Sequence, residues 1–213
     1  MEKIKPLLLD CGIAASTLPG QTETGDRHVV AHFKNGAMLA VVDGLGHGPG
    51  AAAAAKIAAE VLERNAKESV IHLMQICHEH LKPTRGVVMS IASFDFAEAT
   101  LTWLGVGNVE GVLLQRDAYG TVTHEVLPLR GGVVGDRLPP LLASIVPLSR
   151  GDTLIFATDG IRPNFKDGLK PDSVQATASA VLTNFARGTD DALVLVARYS
   201  GSRKEVPGGR AAS

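Results

Sequence analysis

The sequence predicts an α+β domain in which several antiparallel strands carry helices set between two strand clusters. Three observations lead there. From about residue 86 to 127, apolar runs follow one another across short separators rich in Gly, Asp and Asn, which favours meanders over parallel crossovers. Helical spacing is confined to about 50–81 and 171–186. With 213 residues, 45% of them apolar, the chain is large enough to bury one ordinary core without staples.

In chain order, Leu7-Leu8-Leu9 and the stretch around Ile13 read as a first strand, and Leu18 to Asp26 as a loop broken by Gly, Pro and Thr. His28–Phe33 and Ala37–Val42 read as strands joined by Lys34-Asn35-Gly36, an Asn-Gly hairpin turn. Gly50 opens an alanine-rich helix to about Lys67, with Ile57, Ala58, Val61 and Leu62 at helical spacing. A second helix covers about Ser69–Leu81 and stops at Pro83. Strands are predicted at Gly86–Phe96, Ala99–Val106, Gly111–Arg116 and Thr121–Leu127. The region 131–151 is a Gly/Pro-rich loop holding a short strand at Ala143–Pro147. Asp152–Thr158 is a strand ended by Asp159-Gly160. A helix from about Pro171 to Ala186, closed by Gly188, precedes the last strand, Ala192–Tyr199. One domain over 1–199 and a disordered tail over 200–213 complete the expectation.

Composition excludes several classes. Twenty-one basic against 22 acidic side chains leave a net charge of -1, so no basic excess exists for nucleic acid. No apolar run approaches the roughly 20 residues that span a bilayer. The first ten residues have too short an apolar core for a secretory signal. Cys11 and Cys77 are too few for a disulfide framework or a zinc site and read as reduced structural thiols, which places the protein in the cytoplasm.

The chemistry-bearing residues are acidic and sit at strand ends. Apolar runs lead into Asp43-Gly44 and again into Asp159-Gly160; Asp190-Asp191 precedes an apolar strand, and Gly25-Asp26 precedes the strand at His28. Carboxylates gathered at one sheet edge repel one another, so such a site suits bound cations. Oxygen-only ligands favour Mg²⁺ or Mn²⁺ over zinc, and two such ions roughly 3.5–4 Å apart can activate water and clamp a phosphoryl group. A single Asp-Gly is most simply a turn. Spacing alone leaves both readings open.

Asp43-Gly-Leu-Gly-His-Gly48, between a strand and an alanine-rich helix, resembles the signature of the bacterial SpoIIE-like branch of the metal-dependent (PPM-type) serine/threonine protein phosphatases. Gly25-Asp26, Asp43-Gly44, Gly105-Val-Gly-Asn108, Thr158-Asp159-Gly160 and Asp190-Asp191 follow in that family's order, so the likeness covers about residues 8–199. It implies a four-layer α-β-β-α sandwich of two antiparallel sheets flanked by helices. It also implies two divalent ions, Mn²⁺ or Mg²⁺, and a metal-activated water as nucleophile with no side-chain nucleophile. By the same resemblance Asp43 bridges both metals, the Gly44 carbonyl binds the first, and Asp159 and Asp190 bind the second. Asp26 takes the place of an acidic ligand acting partly through water, and Asp191 supports the ligands from behind.

The sequence departs from the wider family in three places. No arginine stands close before Asp26, Gly107-Asn108 replaces a Gly-Asp or Gly-His, and Ala192-Leu193 follow where a Thr or Ser is usual. None removes a core ligand. With only about ten residues ahead of the catalytic region, the compact form resembles the feedback phosphatases of stressosomes. That resemblance implies phosphorylated STAS-domain scaffold and co-antagonist proteins as substrates.

His47 in the glycine loop is a candidate general acid, or else a histidine that orders the turn. His72, His78 and His80 read as a solvated helix face, since positions two apart do not share a face. Asp95, Glu98, Asp117 and Asp136 read as turn residues. A dinucleotide-binding loop is the first rival, but its third glycine is misplaced by one and the expected acid falls inside a helix near Glu63. A phosphatase fold that only docks a partner is the second.

Overall fold

The computed structural model describes residues 8–116, 121–169 and 173–201. Its elements are β1 (Leu9–Ser16), β2 (Asp26–Phe33), β3 (Gly36–Gly44), α1 (Pro49–Arg64), α2 (Val70–Leu81), β4 (Val87–Asp95), β5 (Thr100–Val106), β6 (Glu110–Arg116), β7 (Val122–Val126), β8 (Leu129–Arg130), β9 (Ser144–Pro147), β10 (Thr153–Ala157), α3 (Val174–Phe185) and β11 (Ala192–Tyr199). One sheet has the order β1-β11-β10-β6-β7; the other has the order β2-β3-β4-β5-β8, with β9 also paired to β5.

Side-chain alternation explains the layers. Along β3, Ala37, Leu39 and Val41 enter a core shared with Phe94, Trp103, Leu154, Phe156 and Leu195, so the two sheets face each other there. The intervening Met38, Ala40 and Val42 pack instead against Ala54, Ala55, Ala58, Leu73 and Met74, which lays α1 and α2 on the outer face. On the other sheet, Ile155, Val194 and Val196 pack against Val174, Ala178 and Val181 of α3. A strand covered on both faces reads as a continuous apolar run, as β3 and β11 do. The result is the four-layer α-β-β-α sandwich that the resemblance implied.

Helix ends follow from local chemistry. Pro49 stands in the first turn of α1, where its missing N–H costs nothing. Ser69 Oγ accepts from His72 N at 3.2 Å and Ser173 Oγ accepts from Ala176 N at 3.2 Å, capping α2 and α3. The cap at Ser173 replaces the expected opening at Pro171, which lies outside the described residues. So do Leu7, Asp117 and residues 202–213 of the expected tail.

At two points, the hairpin turn and β8, the structure departs from the expectation. The hairpin turn is Lys34-Asn35 alone, because Gly36 already pairs with Phe33 at the start of β3. Neither turn residue has positive φ, so the Asn-Gly turn chemistry is not used; a Cβ on Gly36 would instead meet the Phe94 carbonyl at 2.2 Å. The run 86–127 forms antiparallel pairs as expected, divided between the sheets: β4 with β5 in one, β6 with β7 in the other. The two-residue β8 pairs with β5 in parallel, a contact too short to leave an apolar pattern. Helix α3 ends at Phe185, one residue from the expected Ala186, which itself forms a bridge with Ile161.

Both cysteines are free, and buried Cys77 packs within the core beneath α1 and α2. Burial pushes its thiol up to about 12. His78 does more than face solvent: its Nδ1 accepts from Gly135 N at 3.0 Å and ties the 131–142 loop to α2. Among the described residues, no helix is long and apolar enough to cross a membrane.

Candidate active site

Antiparallel pairing places the beginning of one strand beside the end of its neighbour, and this gathers the acidic residues. Asp26 opens β2 directly across from Asp43 at the end of β3. In the facing sheet, β10 runs into Thr158-Asp159-Gly160 while Asp190-Asp191 lead into β11 beside it. Thr158 N donates to the Leu193 carbonyl at 3.0 Å, which extends that pairing past the last residue of β10.

Hydrogen bonds then stitch the two sheet edges together. Thr158 Oγ1 donates to Asp26 Oδ2 at 2.7 Å and accepts from Leu193 N at 2.9 Å. The carboxylate of Asp191 accepts from Leu18 N and from Gly25 N, each at 2.7 Å. The Gly25 carbonyl in turn accepts from Gly44 N at 3.1 Å. Buried Asp191 therefore fixes the loop before Asp26 and, through it, the backbone beside Asp43. Close backbone approach demands glycine at two points. A Cβ on Gly44 would lie 2.2 Å from the Ala51 carbonyl, and one on Gly160 would lie 1.9 Å from the Asp191 carbonyl.

Asp43, Asp159 and Asp190 line one open cleft with Leu45, Gly46, Val88 and Asn108. Asp26 is 3% exposed and does not line it; it sits beside Asp43 and borders a neighbouring groove with His28, Lys56 and Glu63. Asn108 Nδ2 donates to Asp159 Oδ2 at 2.8 Å, so this asparagine is a partner of a carboxylate in the cleft. His47 is exposed, does not line the cleft and has no hydrogen bond among those described.

The electrostatics are strained in one direction. Burial, and then repulsion from Asp26, Asp159, Asp190 and Asp191, push the Asp43 carboxyl up to about 8. Burial pushes Asp26 up to about 7; the Thr158 hydroxyl opposes this, and Asp191, Asp159 and Asp190 add to it. Asp159 is raised by burial and by Asp190, while Asn108 and Arg187 draw it back. Arg187 Nε donates to the Asp159 carbonyl at 2.7 Å.

This donor set fits hard divalent cations. It is oxygen-only, and its carboxylates repel one another in a partly desolvated place, a repulsion that bound positive charge relieves. Among the described residues no three His, Cys, Asp or Glu side chains close a metal cage by themselves. An open edge of this kind suits Mg²⁺, which keeps several waters and takes only one or two carboxylates.

Sequence reasoning identified the acidic strand ends but missed the bonding partners Thr158 and Asn108 and the arginine at 187. The signal for Thr158 was its place between a buried strand and Asp159; Arg187 left none, since it follows a helix at a position with no period.

Comparison with known proteins gives consistent matches. The family model described as Stage II sporulation protein E (SpoIIE) matches residues 34–200. The phosphoserine phosphatase RsbX of Bacillus subtilis (strain 168) is 25% identical over 183 residues, covering 85% of this chain and 90% of that protein. A chain from a solved structure of the bacterial stressosome, described as a modular system adapted to control secondary messenger signalling, is 29% identical. It superposes with TM-score 0.80, covering 89% of this chain and 99% of its own length. A crystal structure of RsbX in complex with magnesium has TM-score 0.80 at 23% identity, covering 92% of this chain and 98% of that one, and this supports the fold.

Proposed function

The chain belongs to the SpoIIE family and is a PPM-type protein serine/threonine phosphatase, and from that premise we propose that it removes phosphate from phosphoserine and phosphothreonine of STAS-domain stressosome proteins as feedback control. The observation that carries the chemistry is the convergence of Asp26, Asp43, Asp159 and Asp190 from distant segments at one sandwich edge. The substrate assignment is supported by the likeness to RsbX and to the stressosome chain.

Asp43, the Gly44 carbonyl, Asp159 and Asp190, with Asp26 behind them, would hold two divalent ions, Mn²⁺ or Mg²⁺. Bound there, the ions would supply Lewis-acid activation of a water and offset the charge of the phosphoryl group. The chain's own task is to keep the carboxylates in place. Thr158 holds Asp26, Asn108 holds Asp159, and Asp191 holds the backbone between Leu18 and Gly44. The open cleft admits a phosphorylated side chain presented on a protein surface. The protein works in the cytoplasm in this reading.

The test is phosphate release from a phosphorylated STAS-domain protein, with Mn²⁺ added or with metal chelated. Mn²⁺-dependent release is expected. Release from a generic phosphoester but not from the STAS protein would overturn the substrate. No release from either, with folded protein, would leave a docking module.

A further inference from the structure

Two arginines outside the metal-ligand set do not line the cleft themselves but hydrogen-bond, one on each sheet's side, to residues that do. Arg85, in the turn before β4, donates from Nη1 to the Leu45 carbonyl at 3.1 Å. Its guanidinium fills the space left by two glycines of the Asp43–Gly50 loop: a Cβ on Gly50 would lie 2.5 Å from Nη2, and one on Gly46 would lie 3.0 Å from Nη1. Arg187, past the end of α3, donates from Nε to the Asp159 carbonyl at 2.7 Å, and its backbone N–H bonds the Gly160 carbonyl at 2.8 Å. Leu45 and Asp159 both line the cleft, so each guanidinium is tethered to its wall.

Both side chains are exposed, and among the described residues neither is paired with a carboxylate. Arg187 acts on the Asp159 carboxyl only through its charge, drawing it down. A guanidinium has five N–H donors in a planar fork, and one carbonyl uses one of them. The carbonyl fixes the side chain's position and leaves a face suited to two oxygens of an oxyanion. A phosphate dianion entering between carboxylates needs positive charge on its outer oxygens, which ligands of the ions do not provide.

We infer that Arg85 and Arg187 form a two-sided clamp that binds the phosphoryl group of the substrate at the mouth of the cleft. The inference rests on the phosphatase reading for its purpose, but its direct test is phosphate affinity. Neither arginine was singled out by the sequence, because Arg85 lies in a turn and Arg187 in a loop, 102 positions apart.

The experiment measures inorganic phosphate binding by ³¹P NMR titration in Mg²⁺, alongside p-nitrophenyl phosphate turnover in Mn²⁺. The wild type is compared with Arg85→Ala, Arg187→Ala, the double variant and Arg85→Lys. Each alanine is expected to weaken phosphate binding roughly 10-fold, the worth of a charge-assisted hydrogen-bond pair, and to lower kcat/KM in parallel. Arg85→Lys should recover part of the loss, because it keeps the charge and loses the fork. Thermal midpoints should match the wild type, which separates a clamp from a structural tether. Wild type without turnover, but with phosphate binding that needs both arginines, would sink the phosphatase reading and keep the clamp. Phosphate affinity in the double variant within twofold of wild type, or no phosphate binding by the wild type, overturns the clamp whatever the turnover. A KM that rises for a phosphorylated protein alone also overturns it and moves the arginines to reading acidic residues on the partner.

Discussion

The chain uses one local motif twice, and its two copies end in different electrostatic surroundings. Asp43-Gly44 closes the strand β3, and Asp159-Gly160 follows the strand β10; each carboxylate succeeds a run of buried apolar residues. Asp43 lies half-buried across from Asp26, with no basic group near enough to offset it, and its carboxyl rises to about 8. Asp159 is exposed, accepts from Asn108 and feels Arg187, and its rise is held in check. The glycines, in contrast, do the same job in both copies: neither has positive φ, and each allows a carbonyl from another segment to pass within van der Waals distance of its Cα. The difference teaches that the dipeptide sets where the backbone can be approached, whereas the neighbouring sheet sets how readily the carboxylate ionises.

The largest expected effect is on turnover. Asp43→Asn should reduce phosphate release by about 10³-fold, in the range found when a single preorganised electrostatic group is removed. Its far-UV circular dichroism should be unchanged, and unchanged turnover would refute the central place given to Asp43. Asp159→Asn should cost less, because Asn108 and Arg187 already share its site; equal losses would erase the contrast between the two copies.

The glycines should lose stability equally in kind. Gly160→Ala and Gly44→Ala each drive a methyl into a backbone carbonyl and should cost about 1–3 kcal/mol by overpacking, with Gly160, the tighter, at the upper end. At about 2–4 °C per kcal/mol for a chain of this size, the thermal midpoint reports the difference directly.

Thr158→Val keeps the shape and removes the hydroxyl that lowers the Asp26 carboxyl, so Mn²⁺ affinity should fall about 10-fold. Asn108→Ala removes an exposed bond to Asp159 and should weaken Mn²⁺ binding only about threefold. Isothermal titration of both variants tests the ranking, and a larger effect at Asn108 would reverse it.

A pH slope reads the same contrast without mutation. In chelator, the Asp43 carboxyl stands near 8 in the folded chain, against about 3.9 for a free aspartate in the unfolded one. The folded state therefore holds a proton that the unfolded state has released, and stability is lost as pH rises through that window. The wild-type midpoint should fall between pH 6 and 8.5, and Asp43→Asn should flatten the slope. Metal affinity should move the opposite way, rising over the same range as the proton to be displaced is lost.

Much of the fold was legible. Apolar runs bounded by turn residues, the alanine-rich run from Gly50 and the stop at Pro83 place strands and helices within a few residues of where they stand. The misses share a cause. Lys34-Asn35 turns without the glycine that signals it, and β8 is only two residues long. The strands β5 and β6 diverge into different sheets although only three residues separate them. At the site, the carboxylates were legible because each stands at the end or the start of an apolar strand. Thr158 as partner of Asp26, the backbone grip of Asp191, and the two arginines were not, since each depends on a contact 28 or more positions away in sequence.

By itself, the sequence determined which residues carry negative charge, that they stand at the ends or starts of apolar strands, and that glycine accompanies Asp26, Asp43 and Asp159; these are local consequences of side-chain chemistry and period. Only the tertiary structure decided which carboxylates face one another. Burial and mutual repulsion separate Asp43 from Asp159 through their surroundings, and a guanidinium 40 residues away can lean on the Leu45 carbonyl because antiparallel pairing of β3 with β4 brings distant chain together.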